Sequence, residues 1–207
     1  MFVSDTQTLT RGIGMSKEDW KENTIENIFT RAGLWPWEEG EIVSILDVAC
    51  GLSLKSKFIP AQIRVGVDIF EEYFNHIEAD VPYVVLRQDV RYLDRIFLPK
   101  SFDLVIALDI VEHLEKDESL AMIEQCEKIA RKGVIFETPK GFVPTNIDIL
   151  GHGGHDVQTH RCGWEPDEFH NMGYKTILRD YVMCDIKRHT EVDVDPHIQM
   201  IDAIKIF

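Results

Sequence analysis

Four aspartates stand where apolar runs end: Asp47 in "EIVSILDVA", Asp68 in "IRVGVDIF", Asp89 in "YVVLRQDV" and Asp109 in "FDLVIALDI". A carboxylate offers two acceptor oxygens, which suits a pair of hydroxyls or a cation. Each aspartate taken singly is equally well a polar strand end or a helix cap. Histidines form the second set. Four of the eight lie within 152–170: His152, His155, His160 and His170. An imidazole titrates near neutral pH, so His155 and His160 are the candidate general bases. His152, His155, Asp156 and His160 match no paired zinc-ligand spacing, so no metal is expected. The same stretch reads equally as a solvated loop. His113, Arg161 and Trp164 are candidates for contacting an acceptor, with Trp35 and Trp37 as further aromatic walls. Glu112 and His113 are adjacent, and neighbouring helical positions do not face one ligand.

These residues need a scaffold, and the apolar runs supply one. Residues 41–49, 63–70, 83–90, 102–110 and 133–139 read as strands, most of them apolar on both faces as in a parallel sheet. Residues 174–183 and 197–207 read as two further strands, separated by a polar loop at 184–196. Ser16 and Asp19 form a capping pattern, and Trp20, Ile25, Ile28 and Ala32 continue it as one helix that ends at Gly33 and Pro36. A helix is expected within 111–131, with Leu120, Ile123, Glu127 and Ala130 on one face and Gly133 as its stop. Residues 164–172 form a short helix with Pro166 in its first turn and Gly173 after it. The 140–163 segment is too long for a plain connector and reads as a functional loop or lid. Together these elements predict one doubly wound, Rossmann-like α/β domain. Its sheet has seven strands, mostly parallel with the last antiparallel, and helices on both faces. Residues 1–40 are expected to be a helical cap and 41–207 the ligand-binding domain.

The chain has 207 residues and a formal net charge of −14. That charge disfavours nucleic acid and anionic lipid as partners. The apolar runs are strand-sized, so no membrane span is expected. Cys50, Cys126, Cys162 and Cys184 form no C-x-x-C pair, and the N-terminus lacks a secretory pattern. Free thiols and a cytoplasmic location are the expectation. A homodimer is compatible with the sequence.

The turn after the first strand, "LDVACGLSLKS", stands where open α/β sheets bind ligands. It lacks the G-x-G-x-x-G of dinucleotide sites. It resembles instead the first motif of class I S-adenosylmethionine (SAM)-dependent methyltransferases, acidic-x-Gly-x-Gly-x-Gly. Asp47 matches the acidic position and Gly51 the middle glycine, while Ala49 and Ser53 replace the outer two. Asp68, 21 residues on, resembles the family's ribose-binding acid, and Asp89 with Val90 the adenine-binding pair. "FDLVIALDIVEHL" looks like the fourth-strand motif of small-molecule methyltransferases, and "ARKGVIFETPKGF" like the fifth-strand one. "HRCGWEPDEFHNMGYK" is similar to a segment found in many uncharacterised bacterial members. The resemblance covers about residues 41–183. It implies SAM as cofactor, held by Asp47, Ala49, Cys50, Gly51, Asp68, Ile69, Asp89, Val90, Leu108 and Asp109. It implies methyl transfer to a hydroxyl or amino group of a small molecule, such as a sugar or another metabolite. Position 108–111 reads Leu-Asp-Ile-Val, without the Asn/Asp-Pro-Pro-aromatic motif of base and glutamine methyltransferases. The chain also has no Pro-Cys nucleophile of the cytosine-C5 type. A catalytically inactive member that serves as a partner subunit or binding module is the alternative.

Overall fold

The computed structural model describes residues 24–53, 55–77, 83–148, 150–182 and 197–207. Its centre is β1 (Ser44–Val48), a strand buried at every position. β1 pairs in parallel with β2 (Ile63–Asp68) on one side and β4 (Phe102–Leu108) on the other. A strand covered on both faces has no solvent side, which is why "SILDV" and "FDLVIAL" are almost continuously apolar. β3 (Val84–Arg87) extends one edge, and β5 (Ala130–Pro139) joins β4 in parallel. β7 (His197–Ile206) runs antiparallel between β5 and β6 (Lys175–Val182), giving the order β3-β2-β1-β4-β5-β7-β6. This is the expected seven-stranded α/β sheet. The chain winds outward from β1 in both directions, so a crevice opens beyond the C-terminal ends of β1 and β4.

One face of the sheet is covered by α1 (Ile25–Arg31). Its Ile25, Ile28 and Phe29 pack with Ile45, Leu104, Ile106, Ile135 and Ile204. Seven residues form no stable helix alone. Burial of those three side chains, about 1.5–3 kcal/mol each, holds it. Thr24 is the N-cap and accepts from the Asn27 N–H at 3.2 Å. That cap interrupts the single helix expected from Ser16 to Ala32; Ser16, Asp19 and Trp20 lie outside the described residues. Trp35 and Trp37 stack edge to face, 4.9 Å apart, against this same cluster rather than beside the crevice.

The other face is covered by α2 (Lys116–Ile129) and α3 (Pro166–Asn171). The buried stripe of α2 is Ser119, Met122, Ile123, Cys126 and Ile129, while Leu120 is 41% exposed. Of the expected stripe, Ile123 and Ala130 are buried, as is Ile129, whereas Leu120 is exposed and Glu127 only half-buried. Residues 111–113 form a separate 3-10 turn, Leu114 is extended, and α2 begins only after Glu115. Gly133 does not stop the helix. α2 passes directly into β5 at Ala130, and Gly133 lies inside that strand, where a Cβ would meet the Trp37 ring at 2.7 Å. α3 matches expectation, with Pro166 in its first turn and Gly173 at φ +87°. Its Glu168 carboxylate accepts from the Glu165 N–H at 2.8 Å.

The 140–163 segment is irregular but organised. Asp148, 4% exposed, accepts from the N–H groups of Leu150, His152 and Gly154 at 2.8–2.9 Å and from the Tyr73 hydroxyl at 3.0 Å. Burial pushes the Asp148 carboxyl up, but these four donors outweigh it and hold it below the usual range. The 184–196 loop lies outside the described residues. Among the described residues no helix is long and apolar enough to cross a membrane.

Candidate functional site

A cleft of about 380 Å³ opens at the C-terminal ends of β1, β2 and β4. That size lies within the range of small-molecule sites. All ten residues assigned to the cofactor by resemblance line it. Asp47, Ala49, Cys50 and Gly51 come from the end of β1 and its turn, and Asp68 and Ile69 from the end of β2. Asp89 and Val90 follow β3, and Leu108 and Asp109 close β4.

The turn after β1 takes a left-handed backbone at three alternate positions, only one of them glycine. Ala49, Gly51 and Ser53 have φ of 56°, 49° and 56°. The left-handed region costs an L-residue about 1–2 kcal/mol, so this loop stores strain at two non-glycine positions. Hydrogen bonds hold it: the Cys50 N–H donates to the Val67 carbonyl at 2.9 Å and the Gly51 N–H to Asp68 Oδ2 at 2.9 Å. Cys50 itself is a buried thiol, pushed up by burial and by the charges of Asp47 and Asp68.

Asp47 is 4% exposed and carries a polar cluster. Its Oδ2 accepts from Tyr83 Oη at 2.9 Å and Ser53 Oγ at 3.4 Å, and also from Ser56 Oγ. Burial still pushes its carboxyl up to about 6, against these hydrogen bonds. Tyr83 reaches Asp47 because Gly66 on β2 leaves room; a Cβ there would lie 2.7 Å from Tyr83 Oη and 2.8 Å from Cys50 Sγ. Asp68 accepts from Gly51 through one oxygen and from the Phe70 N–H at 2.9 Å through the other. Each oxygen keeps a further lone pair. Burial raises its pKa despite those two bonds. Asp89 caps the turn at Val90–Arg95 and is gripped by Arg91 through Nε at 3.0 Å and Nη2 at 2.6 Å. Burial pushes Asp89 up, and Arg91 more than cancels it, so the carboxyl sits below its ordinary value.

Lys55 was not assigned a role from the sequence, although it stands in the same turn. Its Nζ lies 2.7 Å from Asp109 Oδ2 and also pairs with Glu137. Glu137, 1% exposed, is met from the other side by Arg179 Nη2 at 2.7 Å, and Arg179 also binds Asp202. Three carboxylates and two cations thus form one network that runs from the cleft lining, at Lys55 and Asp109, into the interior at Glu137 and Asp202. Burial raises Glu137, and Lys55 and Arg179 together overcome it and hold it low. Burial, with the charge of Glu137 beside it, pushes Asp202 up to about 7 against its Arg179 contact.

At the far end of the cleft stand His113 and Arg161. Arg161 spends its guanidinium on backbone carbonyls: His113 O at 2.5 Å, Thr159 O at 3.0 Å and Asp156 O at 3.0 Å. It clamps the 156–161 loop to the turn Val111–His113. Trp164 does not line the cleft. It is 1% exposed, and its Nε1–H donates to the Val111 carbonyl at 3.2 Å. His155 is exposed and off the cleft, and its Nδ1 accepts from the Asp148 N–H at 3.0 Å. His160 packs against His113, ring centroids 4.7 Å apart, and its Nδ1 lies 2.6 Å from the Val143 carbonyl. Burial lowers both rings, His113 to about 3, so both are neutral imidazoles. Glu112 also turns toward them. The expectation that Glu112 and His113 point apart rests on α-helical geometry; the 3-10 turn and its extended exit bring them together. Burial and then the charge of Asp109 push the Glu112 carboxyl well up, while Thr138 Oγ1 donates to it at 2.9 Å.

No family model and no curated protein matches the chain. Solved structures do match along nearly its whole length. A SAM-dependent methyltransferase from Archaeoglobus fulgidus is 18% identical over 98% of this chain and 100% of its own, with a TM-score of 0.57. Magnesium protoporphyrin IX methyltransferase from Synechocystis PCC 6803, with bound SAH, is 16% identical over 99% and 89%, with a TM-score of 0.53. A SAM-dependent methyltransferase from Aquifex aeolicus is 14% identical over 98% and 99%, with a TM-score of 0.50. By strand order, by the position of its cleft and by these likenesses, the chain has the class I SAM-dependent methyltransferase fold.

Proposed function

We propose that the protein is a SAM-dependent methyltransferase whose acceptor is a hydroxyl or amino group of a small molecule. The observation that carries this is the convergence of the β1 turn, in its left-handed form at 49, 51 and 53, with Asp68 in one cleft. The lining fits the cofactor's charge. Six carboxylates (Asp47, Asp68, Asp89, Asp109, Glu118 and Asp156) face it against three cations (Lys55, Arg91 and Arg161), a balance that favours a sulfonium and an ammonium. When bound, SAM supplies a methyl carbon already activated by positive sulfur. Asp68 has spare lone pairs for two ribose hydroxyls, and the Val90 backbone lies beside Asp89 for the adenine edge. The β1 turn supports the remainder through its backbone and small side chains. The chain's main task at the other end is to hold the acceptor in line, with reacting atoms about 3–3.5 Å apart.

An amine acceptor need only arrive neutral, whereas a hydroxyl must lose its proton. His155 is poorly disposed as a base, since its basic nitrogen is already occupied by the Asp148 N–H. His160 stands behind His113 and reaches the cleft only through it.

Calorimetric titration with SAM and with its demethylated product tests the reading, with Asp68→Asn and Asp68→Ala alongside. Micromolar binding, weakened at least tenfold in both variants, is the expected result. No heat from the folded parent chain would refute it in favour of a non-catalytic binding module.

A further inference from the structure

Beyond methyl transfer, we propose that Glu112, His113 and His160 form a binding site for a divalent transition-metal ion, with its open coordination position toward the cleft. Among the described residues, these three bring one ligand atom each within 4.8 Å of one another. Two imidazoles and one carboxylate are a donor set suited to zinc, manganese or iron(II). Metal bonds of about 2.1 Å place tetrahedral ligands about 3.4 Å apart, so the side chains close by roughly an ångström around an ion.

The surrounding bonds orient these groups as a metal site requires. The Val143 carbonyl is only an acceptor, so at 2.6 Å the His160 Nδ1 must carry the hydrogen. Its Nε2 then carries the lone pair. The Thr159 carbonyl, 3.4 Å from His113 Nδ1, favours the same tautomer there. The Glu112 carboxylate is steadied by Thr138 Oγ1. Such outer partners fix ligand tautomer and orientation in metal centres. The two segments that supply the ligands are also tied to each other. The N–H groups of Arg161 and Cys162 donate to the Glu112 carbonyl at 2.7 and 3.2 Å, and the Arg161 guanidinium reaches the His113 carbonyl.

Of the three, only His113 lines the cleft, next to Asp109 and Ile110. Three protein ligands leave a position free, and the cleft side is where an external oxygen ligand would enter. The site is distinct from the His152, His155, Asp156 and His160 grouping suggested by spacing, of which only His160 takes part. It stands whether or not the cleft takes SAM.

The test is Co²⁺ binding to the chelator-stripped, full-length chain, followed by visible absorption. About one Co²⁺ per chain is expected, with ligand-field bands of low coordination number. His160→Ala and the near-isosteric Glu112→Gln should each weaken binding at least tenfold, with circular dichroism reporting that each is folded. His155→Ala and Asp68→Asn should retain it; Asp68→Asn separates this site from the cofactor reading. Absence of Co²⁺ uptake by the parent chain, or unchanged uptake in folded Glu112→Gln, would overturn the proposal.

Discussion

Ala49 and Ser53 share the same backbone strain, and replacing each by glycine separates what the strain costs from what the side chain contributes. Both have φ of 56°. Glycine relieves about 1–2 kcal/mol of left-handed cost and gives back about 0.4–1 kcal/mol through a more mobile unfolded chain. These effects are common to both positions and cancel in the comparison. What remains is the side chain. Ala49 loses a half-buried methyl at the edge of the core, about 0.4 kcal/mol, half the value of a fully buried methylene. Ser53, 3% exposed, loses its hydroxyl contacts with Ser56 at 2.6 Å, Tyr83 at 3.0 Å and Asp47 at 3.4 Å. At about 1 kcal/mol for each of the two shorter ones and less for the third, that costs roughly 2–2.5 kcal/mol. Ala49→Gly is therefore near neutral or stabilising by about 0.5 kcal/mol, and Ser53→Gly destabilises by about 1–2 kcal/mol. The gap of about 2 kcal/mol corresponds to about 4–8 °C in Tm for a chain of this size. Urea and thermal unfolding followed by circular dichroism measure it. Equal Tm values for the two variants, or a more stable Ser53→Gly, would refute the hydroxyl cluster as the reason serine stands there.

Asp47→Asn should change the pH dependence of stability. The Asp47 carboxyl titrates at about 6 in the folded chain against an ordinary 3.8, so the folded state binds the extra proton between those values. Its contribution is fully present below about pH 4 and is lost as pH rises through 6. A shift of about two units is worth roughly 3 kcal/mol. The stability difference between Asp47→Asn and the parent should thus move toward the variant by about that much from pH 4 to pH 7, as read by urea unfolding across pH. A difference that is flat in pH would exclude the raised pKa. Lys55→Met removes one of the two cations of the buried network while leaving Glu137 and Asp109 charged. It should cost about 2–4 kcal/mol at pH 7.5 and less at pH 5, where carboxylates gain protons. Unfolding midpoints at the two pH values check it, and an unchanged midpoint at pH 7.5 would show that Arg179 alone suffices.

The cleft's acidic rim was readable in the sequence because each of Asp47, Asp68, Asp89 and Asp109 follows an apolar run, and strand C-termini in this class of sheet converge. Ala49 and Ser53 were readable as small residues, but their positive φ was not, since neither residue type announces it. Long-range partners left no local signal. Lys55 meets Glu137 across 82 positions and Tyr73 meets Asp148 across 75. The convergence of Glu112 with His113 was not readable either. A helix expected within 111–131 makes 112 and 113 helical neighbours, whereas they lie in a 3-10 turn and Leu114 is extended. Apolar periodicity does not distinguish one helix from a tight turn followed by another. The placement of Trp164 illustrates the opposite limit: an aromatic residue in a functional-looking segment is a core residue whose indole N–H anchors the turn behind the site.

β6 has one partner in the sheet, β7, although β6 precedes β7 along the chain. β6 therefore joins the sheet only through β7, which in turn pairs with β5. Arg179 stands on β6 and Asp202 on β7. Of the two cations that meet Glu137, only Lys55 belongs to the inner part of the sheet. The charge balance of Glu137, and through Lys55 of the cleft lining, thus depends on the sheet's outermost strand, so loosening that edge would be felt at the cleft.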